Sequence, residues 1–235
     1  MKDFSAQKAI NLQKALAKKV LVKDYVSSEN IYTIAAVDAA YIDNMACCCA
    51  ILQKYPDFNI IGYTIIVDEV KVPYVPGLLA FREAPVFIKA LKRLFNKFKE
   101  PDVIIVNGHG IAHPRKFGIA SHVGVVLDKP SIGVARHRLV GALVKENERE
   151  YLVIDGEKVA QRIKVKNSYI YVSVGHKITL STASKIVSKL LISHTLPEPL
   201  FMADKLSKKY AKRIKRQKTK HMISLDKWMK HGWKA

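Results

Sequence analysis

Three acids and one amide carry most of the chemistry this chain could perform. Val103 to Val106 is a short, β-branched apolar run with the look of a buried strand. It stops at Asn107, where the glycine-rich turn Gly108-His109-Gly110 begins. In an open α/β sheet, ligands gather just beyond the carboxyl ends of such strands. Asn107 therefore sits where chemistry is expected, although it is an amide where metal-assisted hydrolysis would use a carboxylate. Asp38 is expected to end an earlier strand, after Tyr32 to Val37; Glu83 follows Leu78 to Arg82 and is expected to begin a helix; Asp204 lies near the start of the last helix. Each has a plainer reading when taken alone, as a turn residue or as an acid favoured at a positive helix end. Set together in a chain of 40 Lys and Arg against 20 Asp and Glu, they read differently. Carboxylates kept at strand ends suit a hard divalent cation, which activates water and stabilises the transition state of phosphodiester hydrolysis.

Cations and aromatics surround these positions. His109, His113, Arg115 and Lys116 crowd the loop after Asn107; a histidine there can donate to a phosphate or relay a proton, or simply be solvated. Arg136, His137 and Arg138 follow another strand end and are natural phosphate contacts. In Pro73-Tyr74-Val75-Pro76-Gly77, two prolines stiffen a loop and Gly77 permits a turn or close backbone approach. Tyr74 is either an aromatic wedge that holds a displaced base out of the stack, or a ring packed back on the core.

These residues need elements to position them. Apolar residues at helical spacing (Ile10, Leu12, Leu16, Val20) predict an N-terminal helix over 4–21. Three strands follow, Ile31 to Val37, Ala46 to Gln53 and Ile60 to Val67, with Tyr55-Pro56-Asp57 as a turn, giving an antiparallel meander. A helix from about Ala84 to Phe98, the strand to Asn107, a helix from about Phe117 to Leu127 and a strand from Ser131 to Val134 come next. Residues 151–174 predict a hairpin turning at Asp155-Gly156. Thr179 or Ser181 caps a helix running to about Ile192, and the last helix starts near Phe201. A meander followed by alternating helix and strand predicts an α/β fold, a ribonuclease H-like mixed sheet of antiparallel and parallel strands flanked by helices.

The net charge of +20 and pI near 9.8 point to a polyanionic partner, nucleic acid, with a basic proteome background or a solubilising tail as the duller alternative. Residues 205–235 hold 12 Lys and Arg against the single acid Asp226, a run that would neutralise phosphates without reading sequence. Trp228 and Trp233 could stack on bases or dock the tail on the domain. Cys47, Cys48 and Cys49 lie in an apolar run without bridging or zinc-ligand spacing, and read as small core residues of a reducing compartment. No secretory signal or membrane span is legible, so a soluble, cytoplasmic protein with no membrane partner is expected.

With these segments in view, the chain resembles the endonuclease V family of bacterial and archaeal type. The resemblance rests on Ala36-Val37-Asp38, on Pro73 through Glu83, on Gly108-His109-Gly110-Ile111-Ala112-His113-Pro114-Arg115-Lys116, on Gly118 through His122, on Ile132-Gly133-Val134-Ala135 and on Pro197-Glu198-Pro199. It covers roughly residues 5–212. The resemblance implies recognition of deoxyinosine by base flipping and cleavage of the second phosphodiester 3′ to it, with Mg²⁺, or Mn²⁺ as a substitute. By the family pattern Asp38 and Glu83 are catalytic metal ligands, Asp204 is a further site residue and His113 lies beside the scissile phosphate. Tyr74 belongs to the wedge; the backbone around Gly77, Leu79, Gly108 and Gly133 forms the hypoxanthine pocket; Pro73, Val75, Pro76, Arg115, Lys116 and Arg136 contact nucleic acid.

Two residues depart from the pattern. Arg136 stands where the family has Lys, a planar fork for a point charge. Asn107 stands where the family has a metal-binding Asp, either as a deliberate change that traps a bound complex or as a natural variant, and it is expected to impair cleavage. The expectation is a monomeric nuclease domain over 1–213 with a basic tail over 214–235, acting on deoxyinosine-containing DNA. The alternatives are a non-catalytic inosine- or branched-nucleic-acid-binding protein and a nuclease acting on inosine in RNA.

Overall fold

The structure is a computed structural model describing residues 4–27 and 29–231, with side chains of the last helix described to Gln217. Trp233 and the side chain of Trp228 lie outside the described residues. In chain order the elements are α1 (Ala6–Ala17), β1 (Thr33–Ile42), β2 (Met45–Lys54), β3 (Ile60–Glu69), α2 (Leu79–Lys97), β4 (Val103–Asn107), α3 (Ile119–Leu127) and β5 (Ser131–Ala135). Then follow β6 (Ala142–Glu146), β7 (Arg149–Ile154), β8 (Glu157–Val165), β9 (Ser168–His176), α4 (Leu180–Lys189) and α5 (Glu198–His231). All nine strands form one sheet, ordered β3-β2-β1-β4-β5-β9-β8-β7-β6. The meander β1–β3 is antiparallel, β1, β4 and β5 run parallel, and β9 returns antiparallel to β5. This is the ribonuclease H-like mixed sheet that the element order predicts.

Period-two alternation with both faces apolar explains why the centre is sealed. Ala35, Val37, Ile104 and Val106 face α2 and α3 in a cluster with Phe87, Leu91 and Val123. Ile34, Ala36, Val103 and Ile105 face the opposite way, packing with Ile186 of α4 and Leu200 of α5. The cysteines on β2 are buried and free, with burial raising their thiol pKa values. Among the described residues no helix is long and apolar enough to cross a membrane.

Several boundaries differ from the sequence reading. Asp38 does not end its strand, because β1 continues to Ile42 paired with β2 through Ile42↔Met45. The parallel partner, however, stops: Val37↔Val106 is the last pair of β1 with β4. Asp38 thus lies at the carboxyl edge of the parallel part, inside a longer strand. Glu83 does not begin its helix, since α2 starts at Leu79 and carries Pro85 inside it; a proline near the start of a helix resembles a first-turn signal and shifts the expected start. The expected hairpin is a longer antiparallel run, with Asp155 (φ 50°) and Gly156 (φ 77°) forming the tight turn between β7 and β8 as read. The strand β6 carries no alternation to detect, because all five of its residues are exposed. Thr179 is the cap of α4, accepting from the Thr182 amide. The last helix begins at Glu198 and passes residue 213 without a break.

Candidate active site

The topology brings Asp38 and Asn107 to the same lip. Asp38 is 6% exposed, and its carboxylate accepts from the Ala39 amide at 2.8 Å. Burial raises its pKa to about 7; the side-chain amide of Asn107 and the Ala39 N–H oppose the rise, while the charges of Asp204 and Glu83 add to it. Burial likewise raises Glu83, against the Tyr41 hydroxyl and the Arg82 charge. The Tyr41 hydroxyl donates to Glu83 Oε1 at 2.5 Å, and its own pKa is raised, first by burial and then by Glu83. Asp204, on α5, pairs with Lys208 one turn later at 2.6 Å. Asp38, on β1, therefore feels the charges of Glu83 on α2 and Asp204 on α5.

Asn107 also lines a cavity of about 440 Å³, walled by Tyr74, Gly77, Leu79, Ala80, Gly108, His109, His113, Gly118, Ile119, Ala135 and Arg136 through Leu139. Gly133, expected in the pocket, is not among its lining residues but packs directly against Gly108 and His109, which are. A Cβ on Gly133 would come within 2.5 Å of the Gly108 carbonyl oxygen and 2.6 Å of the Gly110 nitrogen. Backbone therefore approaches backbone here, and a side chain at residue 133 would push the Gly108–Gly110 turn away.

The remaining expected residues divide by surroundings. Tyr74 is 68% exposed at the pocket rim, so it is not packed back on the core; Pro73 and Pro76 beside it are exposed and Val75 is partly buried. Arg136 lines the pocket and is exposed. Lys116 pairs with Glu157 at 2.5 Å. His113 is 5% exposed. Its Nδ1 accepts from the Arg115 amide at 3.2 Å, so Nε2 holds the proton and donates to the Gly77 carbonyl at 3.1 Å. Burial and the Arg115 charge push its pKa down to about 4, which keeps the ring neutral.

Two participants carry no sequence signal. Tyr41 reads as an exposed strand residue until its hydroxyl is seen on Glu83. Gln13, completely buried, reads as a polar position of an amphipathic helix; only its distant partners disclose it.

A family model for Endonuclease V matches residues 14–205 of the chain. Endonuclease V of Desulfurococcus amylolyticus is 41% identical over 211 residues, covering 87% of this chain and 95% of that one. The crystal structure of the Endonuclease V from Bacillus subtilis superposes with a TM-score of 0.83 at 29% identity, covering 93% of this chain and 96% of that one. Endonuclease V of Ciona intestinalis, in complex with a 24mer DNA containing an inosine followed by a ribo-adenosine, gives 0.82 at 29% identity, covering 88% and 98%.

Proposed function

The chain belongs to the endonuclease V family, and from that premise we propose that it is a deoxyinosine-directed DNA-repair endonuclease that hydrolyses the second phosphodiester 3′ to the lesion. The observation that carries this reading is the double role of Asn107. It lines the 440 Å³ pocket while its amide faces the Asp38 carboxylate. Base capture and phosphate chemistry then share one lip. The pocket takes the flipped hypoxanthine, and exposed Tyr74 fills the gap left in the stack. Arg136 and the cations of α5 hold phosphates.

The donor set fits a hard divalent cation. Asp38, Glu83 and the amide oxygen of Asn107 are oxygen donors, and the burial and, to a smaller degree, the neighbouring carboxylate charges that raise Asp38 are what a bound cation would offset. Among the described residues no three His, Cys, Asp or Glu side chains come together as ligands; Asn107 supplies the third position without a negative charge. A bound Mg²⁺ or Mn²⁺ would supply water activation and charge stabilisation there. We take Asn107 to make cleavage slower than an aspartate would.

The test compares cleavage of a deoxyinosine duplex, with Mg²⁺ and with Mn²⁺, by this chain and by Asn107→Asp. Tight binding with poor cutting, restored by the substitution, is expected. Robust Mg²⁺-dependent cleavage by the unchanged chain overturns the impairment. No cleavage by either overturns the nuclease reading in favour of a binding protein. An inosine-containing RNA arm decides whether a 2′-hydroxyl is tolerated.

A further inference from the structure

The helix α1 buries only Ala9 and Gln13. A fully buried glutamine must spend its amide on partners, and Gln13 does so across great sequence distance. Its Nε2 donates to the Phe117 carbonyl at 2.7 Å and to the Gly77 carbonyl at 3.3 Å. Its Oε1 accepts from Arg115 Nε at 2.5 Å. The orientation is fixed by chemistry, since two carbonyls can face only the NH₂ and a guanidinium can face only the oxygen. The Gly77 carbonyl is a hub: besides Gln13 it accepts from Arg115 Nη2 at 2.6 Å and His113 Nε2 at 3.1 Å.

Of the two carbonyls that Gln13 holds, one belongs to Gly77, which lines the base pocket, and the other to Phe117, directly before the lining residue Gly118. Gly77, at φ 74°, closes the loop that presents Tyr74 and leads into the helix bearing Glu83. Phe117 precedes Gly118, which lines the pocket and starts α3. Gly77 and Phe117 come from separate segments with α2 and β4 between them, and one amide spans both. We propose that Gln13 is a positioning residue that clamps the two walls of the base pocket, so that discrimination for inosine depends on the N-terminal helix. This rests on the reading of the pocket as the hypoxanthine site. Gln13 touches no substrate in this scheme; it sets the width into which the base must fit. Its position just before residue 14, where the family match begins, places the clamp at the edge of the shared region.

The test uses the full chain with Gln13→Met, which keeps length and volume but makes no hydrogen bond. Gln13→Glu is the second variant; it keeps the acceptor for Arg115 and sets an oxygen against both carbonyls. Ala9→Gly loosens the same helix without touching the clamp. Amide hydrogen exchange over 73–78 and 116–119 in the free protein, and the ratio of metal-free affinities for deoxyinosine and undamaged duplexes, are measured for each. Both Gln13 variants should speed exchange in the two segments and lower the ratio by about tenfold, with affinity for undamaged duplex little changed. Ala9→Gly should leave both readouts near those of the parent. Unchanged exchange, or an equal loss in Ala9→Gly, overturns the clamp. If the parent itself does not prefer inosine, the pocket assignment falls, and exchange alone decides whether Gln13 positions the walls.

Discussion

The amide of Asn107 faces the carboxylate of Asp38 one step past the last parallel pair, Val37 with Val106. A neutral donor at that point partly offsets the burial of Asp38; a carboxylate would do the reverse. Asn107→Asp should therefore destabilise the metal-free protein at pH 7, by about 1–2 kcal/mol for a like charge in this setting, and gain more stability than the parent when Mg²⁺ is added. Thermal unfolding with and without Mg²⁺ reads both changes. Equal metal-induced shifts in the two proteins would show that residue 107 does not contribute to metal binding.

Tyr74 is exposed and its ring is free of the core. Tyr74→Ala should leave stability within about 0.5 kcal/mol while lowering the preference for inosine over undamaged duplex. Binding titrations on the two duplexes separate these effects. A uniform loss on both would make Tyr74 a general contact, and an unfolding shift of several degrees would make it structural.

The last helix has a packed face and a basic, exposed face. Leu200, Ala203, Ser207 and Ala211 are buried, and Ile214 continues that packed side. Lys205, Lys209, Lys212 and Arg216 follow helical spacing on the opposite face, and a cleft whose lining among the described residues comes from this helix includes Asp204 and these four. A phosphate track leading away from the site is the expected role. Changing all four to Gln should weaken inosine and undamaged duplexes in parallel and flatten the slope of log affinity against log salt by up to about 3–4. Removing 214–235 should act in the same direction. A loss confined to inosine substrates would make the helix part of recognition instead.

Local patterning made the sheet legible, and distant pairing hid much of the rest. The apolar run at β4 placed Asn107 at the lip of a crevice because an open α/β sheet gathers ligands at that edge, whereas Asp38 read only as an acid at a strand end. The end of β1 was not legible, since the turn at Asp43-Asn44 and its pairing with Met45 carry it onward. Gln13 was invisible for a different reason: its partners lie 64, 102 and 104 residues away. Nothing in a helical repeat announces which polar position will be buried.

His122 provides a test of pH dependence away from the metal site. Its ring lies edge-on to Phe81 at 5.4 Å and tilted against Phe117 at 5.5 Å, and its Nδ1 is buried without a hydrogen-bond partner among the described residues. Burial lowers its pKa from 6.5 to about 4. Between those values the unfolded chain binds a proton that the folded chain refuses, so stability from this group is full above pH 6.5 and is lost as pH falls toward 4. His113 acts over the same window, and the raised Asp38 acts in the opposite direction, so the parent's own curve mixes signs. His122→Phe isolates one contribution, because the other shifted groups, which include Glu83, His109 and His176, remain in both proteins. The variant should lose less stability than the parent on acidification from pH 6.5 to 4. At pH 7 it should be more stable by about 1 kcal/mol, the cost of an unpaired buried polar atom, or roughly 2–4 °C in a chain of this size. Unfolding curves that run parallel across the window would mean that His122 takes up its proton in the folded state, and that burial between the two rings does not exclude it.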